Sequence, residues 1–242
     1  MALPKIQTPI FDLIMPSTGE EIKYRPFTVK EEKILLVAQE STSNKDQINA
    51  VKQIINNCII DPNDISVDDL ASFDIEYIFL KLRAKSVGEV VSISVNPQNR
   101  NDLPPMKIDI NIDEIEPTKN ETKNEPIDLD DGLSIKMKYP TFKMLETIGD
   151  EKDHTQFLKL FADCIKTLYS GEETYEMKDY SINEKEEFLD SMSSKQLGML
   201  QEFFTNLPKI RKEITYKYVN PDDSSDTYEE EIVIEGILSF LS

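Results

Sequence analysis

Residues 21–38, EIKYRPFTVKEEKILLVA, join an alternating run to a helical pattern through a proline. Ile22 and Tyr24 face one way and Lys23 and Arg25 the other, the period-2 signature of a half-buried strand. Pro26 has no N–H to donate, so the strand ends there, and its fixed φ suits the approach to a helix. Thr28 with Glu31 three residues on forms a capping box, followed by an apolar face of Ile34, Leu35, Val37 and Ala38. A second junction of the same kind stands at 134–145, SIKMKYPTFKML. Two such junctions restrict the chain to an α+β class in which each strand runs directly into a helical layer.

The rest of the chain fills in around these junctions. Phe11–Met15 and Glu21–Phe27, separated by Pro16-Ser17-Thr18-Gly19, read as a hairpin. Ile48, Val51, Ile54, Ile55, Cys58 and Ile59 mark a second helix, and Ile75, Ile78, Phe79 and Leu82 a third, capped at Gly88. Val90–Val95 and Met106–Ile112 form a hairpin around the polar loop Asn96–Pro105. Residues 115–131 are polar and Pro-containing and read as a linker. Beyond it, Leu133–Met137 is a strand and Phe142–Ile148 a short helix. A long helix is expected with Phe157, Leu158, Phe161, Cys164, Ile165 and Leu168 on one face. An irregular acidic stretch, Gly171–Asp179, precedes helices at 182–192 and 197–207, and a last hairpin spans 214–234.

Cys58-Ile59 and Cys164-Ile165 recur in order, as do Val95-Asn96-Pro97 and Val219-Asn220-Pro221, at a spacing of about 110 residues. The expected organisation is therefore two related halves. Each is a strand entering a helical layer and closing with a small antiparallel β-hairpin: domain 1–115, acidic polar linker 116–131, and domain 132–242 as a degenerate repeat of the first.

The segments IKYRPFTVKEEKILLVAQES and FDIEYIFLKLRAKSVGE, with LQEFFTNLPKI and EGILSFLS near the end, resemble the T4-type bacteriophage baseplate hub and hub-assembly family over most of the chain. The resemblance implies a non-enzymatic role in tail assembly, as a hub subunit or a hub-assembly factor. A permanent wedge or hub component is the alternative, and a hub-associated hydrolase a distant one. The implied partners are other baseplate hub or tape-measure proteins, met in the host cytoplasm or the tail baseplate. In relatives the two hairpins can carry cysteine pairs resembling a zinc ribbon. Here residues 96–105 and 220–227 contain neither cysteine nor histidine, so strand pairing alone is expected to hold them.

Aspartate and glutamate number 46 against 27 lysines and arginines, a net charge of −19, which disfavours nucleic acid and anionic membranes as partners. Lys209–Lys212 is the one dense basic run, read as a solvated strand start. The N-terminus lacks a signal-peptide core and no apolar run nears the roughly 20 residues of a membrane span, so a soluble intracellular protein is expected. Cys58 and Cys164 lie on apolar helix faces, where a thiol is inert. His154, the single histidine, stands at a helix start as a capping group. Asp128–Gly132 lacks the spacing and closing glutamate of a calcium loop. No catalytic, cofactor-binding or metal-binding residue is expected. Partner contact is expected at Phe203, Phe204, Ile237, Leu238 and Phe240, because four large apolar side chains near a chain end should be covered. Packing of that tail on the stripe Leu200, Phe203, Phe204 and Leu207 is the intramolecular form of the same expectation, and oligomeric state stays open.

Overall fold

The first hairpin pairs β1 (Phe11–Ile14) with β2 (Glu21–Tyr24) in a computed structural model that describes residues 6–60, 65–119, 125–130, 132–148, 154–220, 222–236 and 239. There follow α1 (Val29–Glu40), α2 (Asn44–Cys58), α3 (Ser72–Ser86) and the hairpin of β3 (Val90–Val95) with β4 (Met106–Asn111). Next come β5 (Ile127–Asp128), β6 (Leu133–Met137), α4 (Phe142–Ile148), α5 (His154–Cys164), β7 (Ile165–Ser170) and β8 (Glu173–Glu176). The chain continues through α6 (Ile182–Asp190), α7 (Ser194–Thr205), β9 (Arg211–Val219) and β10 (Thr227–Glu235). Every strand pair among the described residues is antiparallel, and the sheets are small: three of two strands and one of four, ordered β5-β6-β7-β8. The class is α+β.

Contacts group the chain into two compact units. Unit 1 takes Met1–Val67, Phe73–Thr118 and Lys209–Ser242; unit 2 takes Asp68–Ser72 and Lys119–Pro208. These units cut across the halves expected from sequence order, because the last hairpin packs within unit 1. The segment expected as a linker is also partly structured: Ile115 and Leu129 are buried and β5 lies inside it. Few apolar residues in 115–131 suffice, since Ile115 and Leu129 are each enclosed.

Unit 1 is built on α2 and α3. Val51, Ile54, Ile55 and Cys58 of α2 and Ile75, Ile78, Phe79 and Leu82 of α3 are buried, each worth about 1.5–3 kcal/mol of removed apolar surface. The junction at Pro26 is tied at both ends. Arg25 pairs with Glu31 at 3.2 Å and donates to the Asn57 carbonyl at 2.8 Å, while the Phe27 N–H donates to Ser86 Oγ at 2.9 Å. The Thr28 N–H and hydroxyl both donate to Glu31 Oε2, at 2.9 and 2.7 Å, which leaves this carboxylate 1% exposed yet fully partnered. On α3, the buried Asp74 accepts the Ser17 N–H at 3.0 Å from the β1–β2 turn. Lys81 donates to the Asp113 carbonyl and to Glu116 at 2.9 Å, with its amine 4.9 Å from the Tyr77 ring centre.

Two of the three hairpins of unit 1, β3–β4 and β9–β10, are bridged by side chains. Arg100 pairs with Asp102 at 2.8 Å in its own loop and with Asp226 at 3.4 Å in the other. The Tyr216 hydroxyl donates to the Pro104 carbonyl at 2.9 Å, and the Gln98 N–H to Glu230 at 3.0 Å. Strand pairing is thus supplemented by side-chain bridges between the two hairpins. The basic run 209–212 is absorbed locally: Lys209 pairs with Glu235 at 3.3 Å, and Arg211 with Glu213.

In unit 2 a core of Leu129, Ile135, Met137, Phe161, Cys164, Ile165, Leu168, Leu189, Leu200 and Phe203 lies between the sheet and α5–α7. α6 and α7 each start with a capping box, Ser181 with Glu184 and Ser193 with Gln196. The expected long helix through Leu168 stops at Cys164, and Ile165–Ser170 continues as β7. The Lys138 N–H captures the Cys164 carbonyl at 2.8 Å, and Met137 pairs with Ile165, so the ladder wins over further helix. Likewise the stretch 171–179 is no irregular segment. It turns at Gly171, whose φ of +59° favours glycine, into β8 and a 3-10 turn, Met177–Asp179. A matching closure stands in unit 1: the Arg25 N–H donates to the Cys58 carbonyl at 3.0 Å and Tyr24 bridges Ile59. There the pairing ends after one bridge.

Candidate interaction surfaces

Phe203 and Phe204 lie on α7 and face inward. Phe203 is 5% exposed, with Tyr139 stacked 6.0 Å away, and Phe204 stacks on Phe161 at 4.4 Å. Phe203 belongs to the core of unit 2 and Phe204, partly buried, packs against it, on a stripe that continues to Leu200 and Leu207 at helical spacing. Ile237, Leu238 and Phe240 lie outside the described residues, as does the tail packing expected for them.

The surface that sequence reasoning missed is on α1. Of its four expected core positions only Leu35 and Ala38 are buried, while Val37 is 70% exposed. Val29 at 65% and Leu36 at 55% join it, with Lys33 between them at helical spacing. The inward side is narrow because Glu31 occupies one of its positions with the Arg25 pair. The adjoining groove between α1 and α2 measures about 510 Å³ and is lined by Ile34, Val37, Ala38, Asp46, Ala50 and Gln53, among others. The signal was present: an apolar set too wide for one face, Val29 to Ala38, on a helix with a buried glutamate.

Unit 2 carries a smaller socket of about 230 Å³ where the β7–β8 hairpin meets α6. Leu168, Met177 and Phe188 line it with the Tyr175 and Tyr180 rings, which lie 6.4 Å apart and tilted by 57°. Glu184 and Lys185 complete the lining. The Ser181 hydroxyl and N–H donate to Glu184 and hold its carboxyl below the usual range, so it stays charged.

Both thiols are held in the protonated form at neutral pH. Burial pushes Cys58 up to about 11 and Cys164 up to about 12. Both are free and buried. His154 begins α5, and its side chain is not described. Asp128 and Asp130 serve the β5–β6 turn: Asp128 accepts the Asp130 N–H at 3.0 Å, and Asp130 pairs with Lys195 at 2.7 Å. Among the described residues, no group of three His, Cys, Asp or Glu side chains is placed to hold a metal ion. Nor is any helix among them long and apolar enough to cross a membrane.

These features describe an α+β chain of small antiparallel sheets and helix pairs, with apolar grooves on its surface. The family model for T4 bacteriophage base plate proteins matches residues 8–242, and the chain belongs to that family. No curated protein matches it. No solved structure matches it either.

Proposed function

We propose that this baseplate protein is a hub subunit or a dedicated hub-assembly factor that acts by binding other hub or tape-measure proteins. The outward apolar stripe of α1 carries the reading: Val29, Leu36 and Val37 stand in water on a helix whose inner side is already packed. A baseplate is built by contacts between subunits, and such a stripe is the form an unfilled contact takes in a single chain. The net charge of −19 favours partners with basic surfaces and disfavours nucleic acid and anionic membrane. The site of action is the host cytoplasm during assembly or the virion tail, and the binding role involves no catalytic step.

Phage carrying Leu36→Glu with Val37→Glu tests the reading. The expected outcome is a folded protein in the lysate and loss of completed hubs. Normal hubs would overturn it. Immunoblotting purified virions against lysate then separates the two roles, since an assembly factor is missing from the finished particle and a subunit is not.

A further inference from the structure

The socket of unit 2 is set in a strongly acidic part of the chain. Residues 172–190 hold eight acidic and two basic side chains, a net charge of −6, or nearly a third of the whole chain's −19. These residues form β8, the 3-10 turn and α6, the elements that build the socket. Within this stretch Glu172, Glu173, Asp179, Glu184 and Glu187 are exposed, and Glu184 lines the socket itself. Apart from Glu184 and Lys185, its lining is the opposite in character: Leu168, Met177, Phe188 and the two tyrosine rings. Its volume of about 230 Å³ falls below the roughly 300–1,000 Å³ of small-molecule sites and suits one large apolar side chain.

We propose that this socket docks a partner segment that inserts one phenylalanine- or leucine-sized side chain against Tyr175 and Tyr180 and carries lysine or arginine on both sides of it. The charge selects this occupant. An acidic segment would meet the net charge of −6 carried by residues 172–190, which Lys178 and Lys185 offset only in part, and a second copy of this chain, at −19, would be repelled as a whole. A basic segment is drawn to the rim, and its apolar side chain then finds an uncovered aromatic site. Tyr180 is 37% exposed and free to form one wall of the contact. The Tyr175 hydroxyl donates to Glu173, which fixes that ring beside the rim carboxylate.

The inference rests on reading the chain as a binding protein, but it is tested without phage. The full chain is titrated, with fluorescence anisotropy as readout, against a short labelled peptide with central phenylalanine and two lysines on each side. Two control peptides replace the phenylalanine by serine or the lysines by glutamate. The phenylalanine–lysine peptide should bind at least about tenfold more tightly than either control. Tyr180→Ala should abolish the preference for phenylalanine over serine at an unchanged Tm, and Tyr180→Phe should retain it. Glu187→Gln should weaken both lysine peptides and leave their ratio intact. Equal affinity for the phenylalanine and serine peptides, absence of binding, or indifference to Tyr180→Ala would overturn the proposal. Such a failure beside a hub defect from the α1 double variant would sink the socket alone. The converse result would sink only the hub role.

Discussion

Glu31 shows how a single residue can set the geometry of a junction. Burial by itself would raise its carboxyl, but hydrogen bonds from the Thr28 side chain and N–H and from Arg25 outweigh that and hold it at about 2, against about 4.5 when free. A folded value below the unfolded one means that ionised Glu31 stabilises the protein fully above pH 4.5. That stabilisation is lost as pH falls through the folded value near 2. Glu31→Gln should therefore destabilise by about 3 kcal/mol at pH 7, partly by leaving Arg25 uncompensated. Urea unfolding of both proteins checks it, and their difference should shrink steadily below pH 4.5. The thiols allow a second residue-scale test. With Cys58 and Cys164 buried and their acidities suppressed, neither should react with a maleimide in the native protein at pH 7. Both should react in denaturant, as mass spectrometry would show.

At the scale of elements, α1 divides its apolar residues between two tasks. Leu35 and Ala38 anchor it to unit 1, and Val29, Leu36 and Val37 do not. Leu35→Ala should cost about 2–5 kcal/mol, as expected for truncation of a buried leucine. Val37→Asp should stay within about 0.5 kcal/mol of the wild type. Thermal and urea melts of the two variants distinguish this division from a uniformly packed helix, in which both would be costly. The α5–β7 boundary shows a different competition. Ile165 and Leu168 fit a helical face by spacing, but Ile165-Lys166-Thr167-Leu168-Tyr169 also carries the β-branched and aromatic residues of a strand. Periodicity over so short a run does not separate the two, and the partner strand β6 decides.

For the whole molecule, the consequential feature is the return of the last hairpin to unit 1. It brings Ile210, Tyr216, Ile232 and Ile234, all buried. At about 1.5–3 kcal/mol for each large side chain, their removal approaches the entire stability of an ordinary domain. A chain ended after Pro208 should thus lose the cooperative unfolding of unit 1, whereas one ended within the Asn220 loop should lose part of it. Calorimetry of the two truncations checks this. If residues 1–208 melt like the full chain, the hairpin is an appendage and not part of the unit's core.

The strand-to-helix junctions, the Thr28–Glu31 capping box, the terminal hairpins and the family were legible in the sequence because each depends on neighbours within a few residues. Alternation fixes a strand's faces, proline ends its ladder, and a serine or threonine with an acid three residues on starts a helix. The apolar faces of α2 and α3 were legible as core too, but which apolar residues of α1 became core was not, since burial there depends on what the fold brings alongside. Val37 and Leu35 are alike in a local pattern, and only packing against α2 and the Arg25–Glu31 pair separates them. Phe203 reads equally well as a docking residue until Tyr139 and Phe161 close around it and Phe204. The socket and the grouping of 209–242 with unit 1 were decided in the same way. The hairpin joins segments far apart in the chain, beyond any local rule of spacing, and the socket depends on how β7–β8 meets α6.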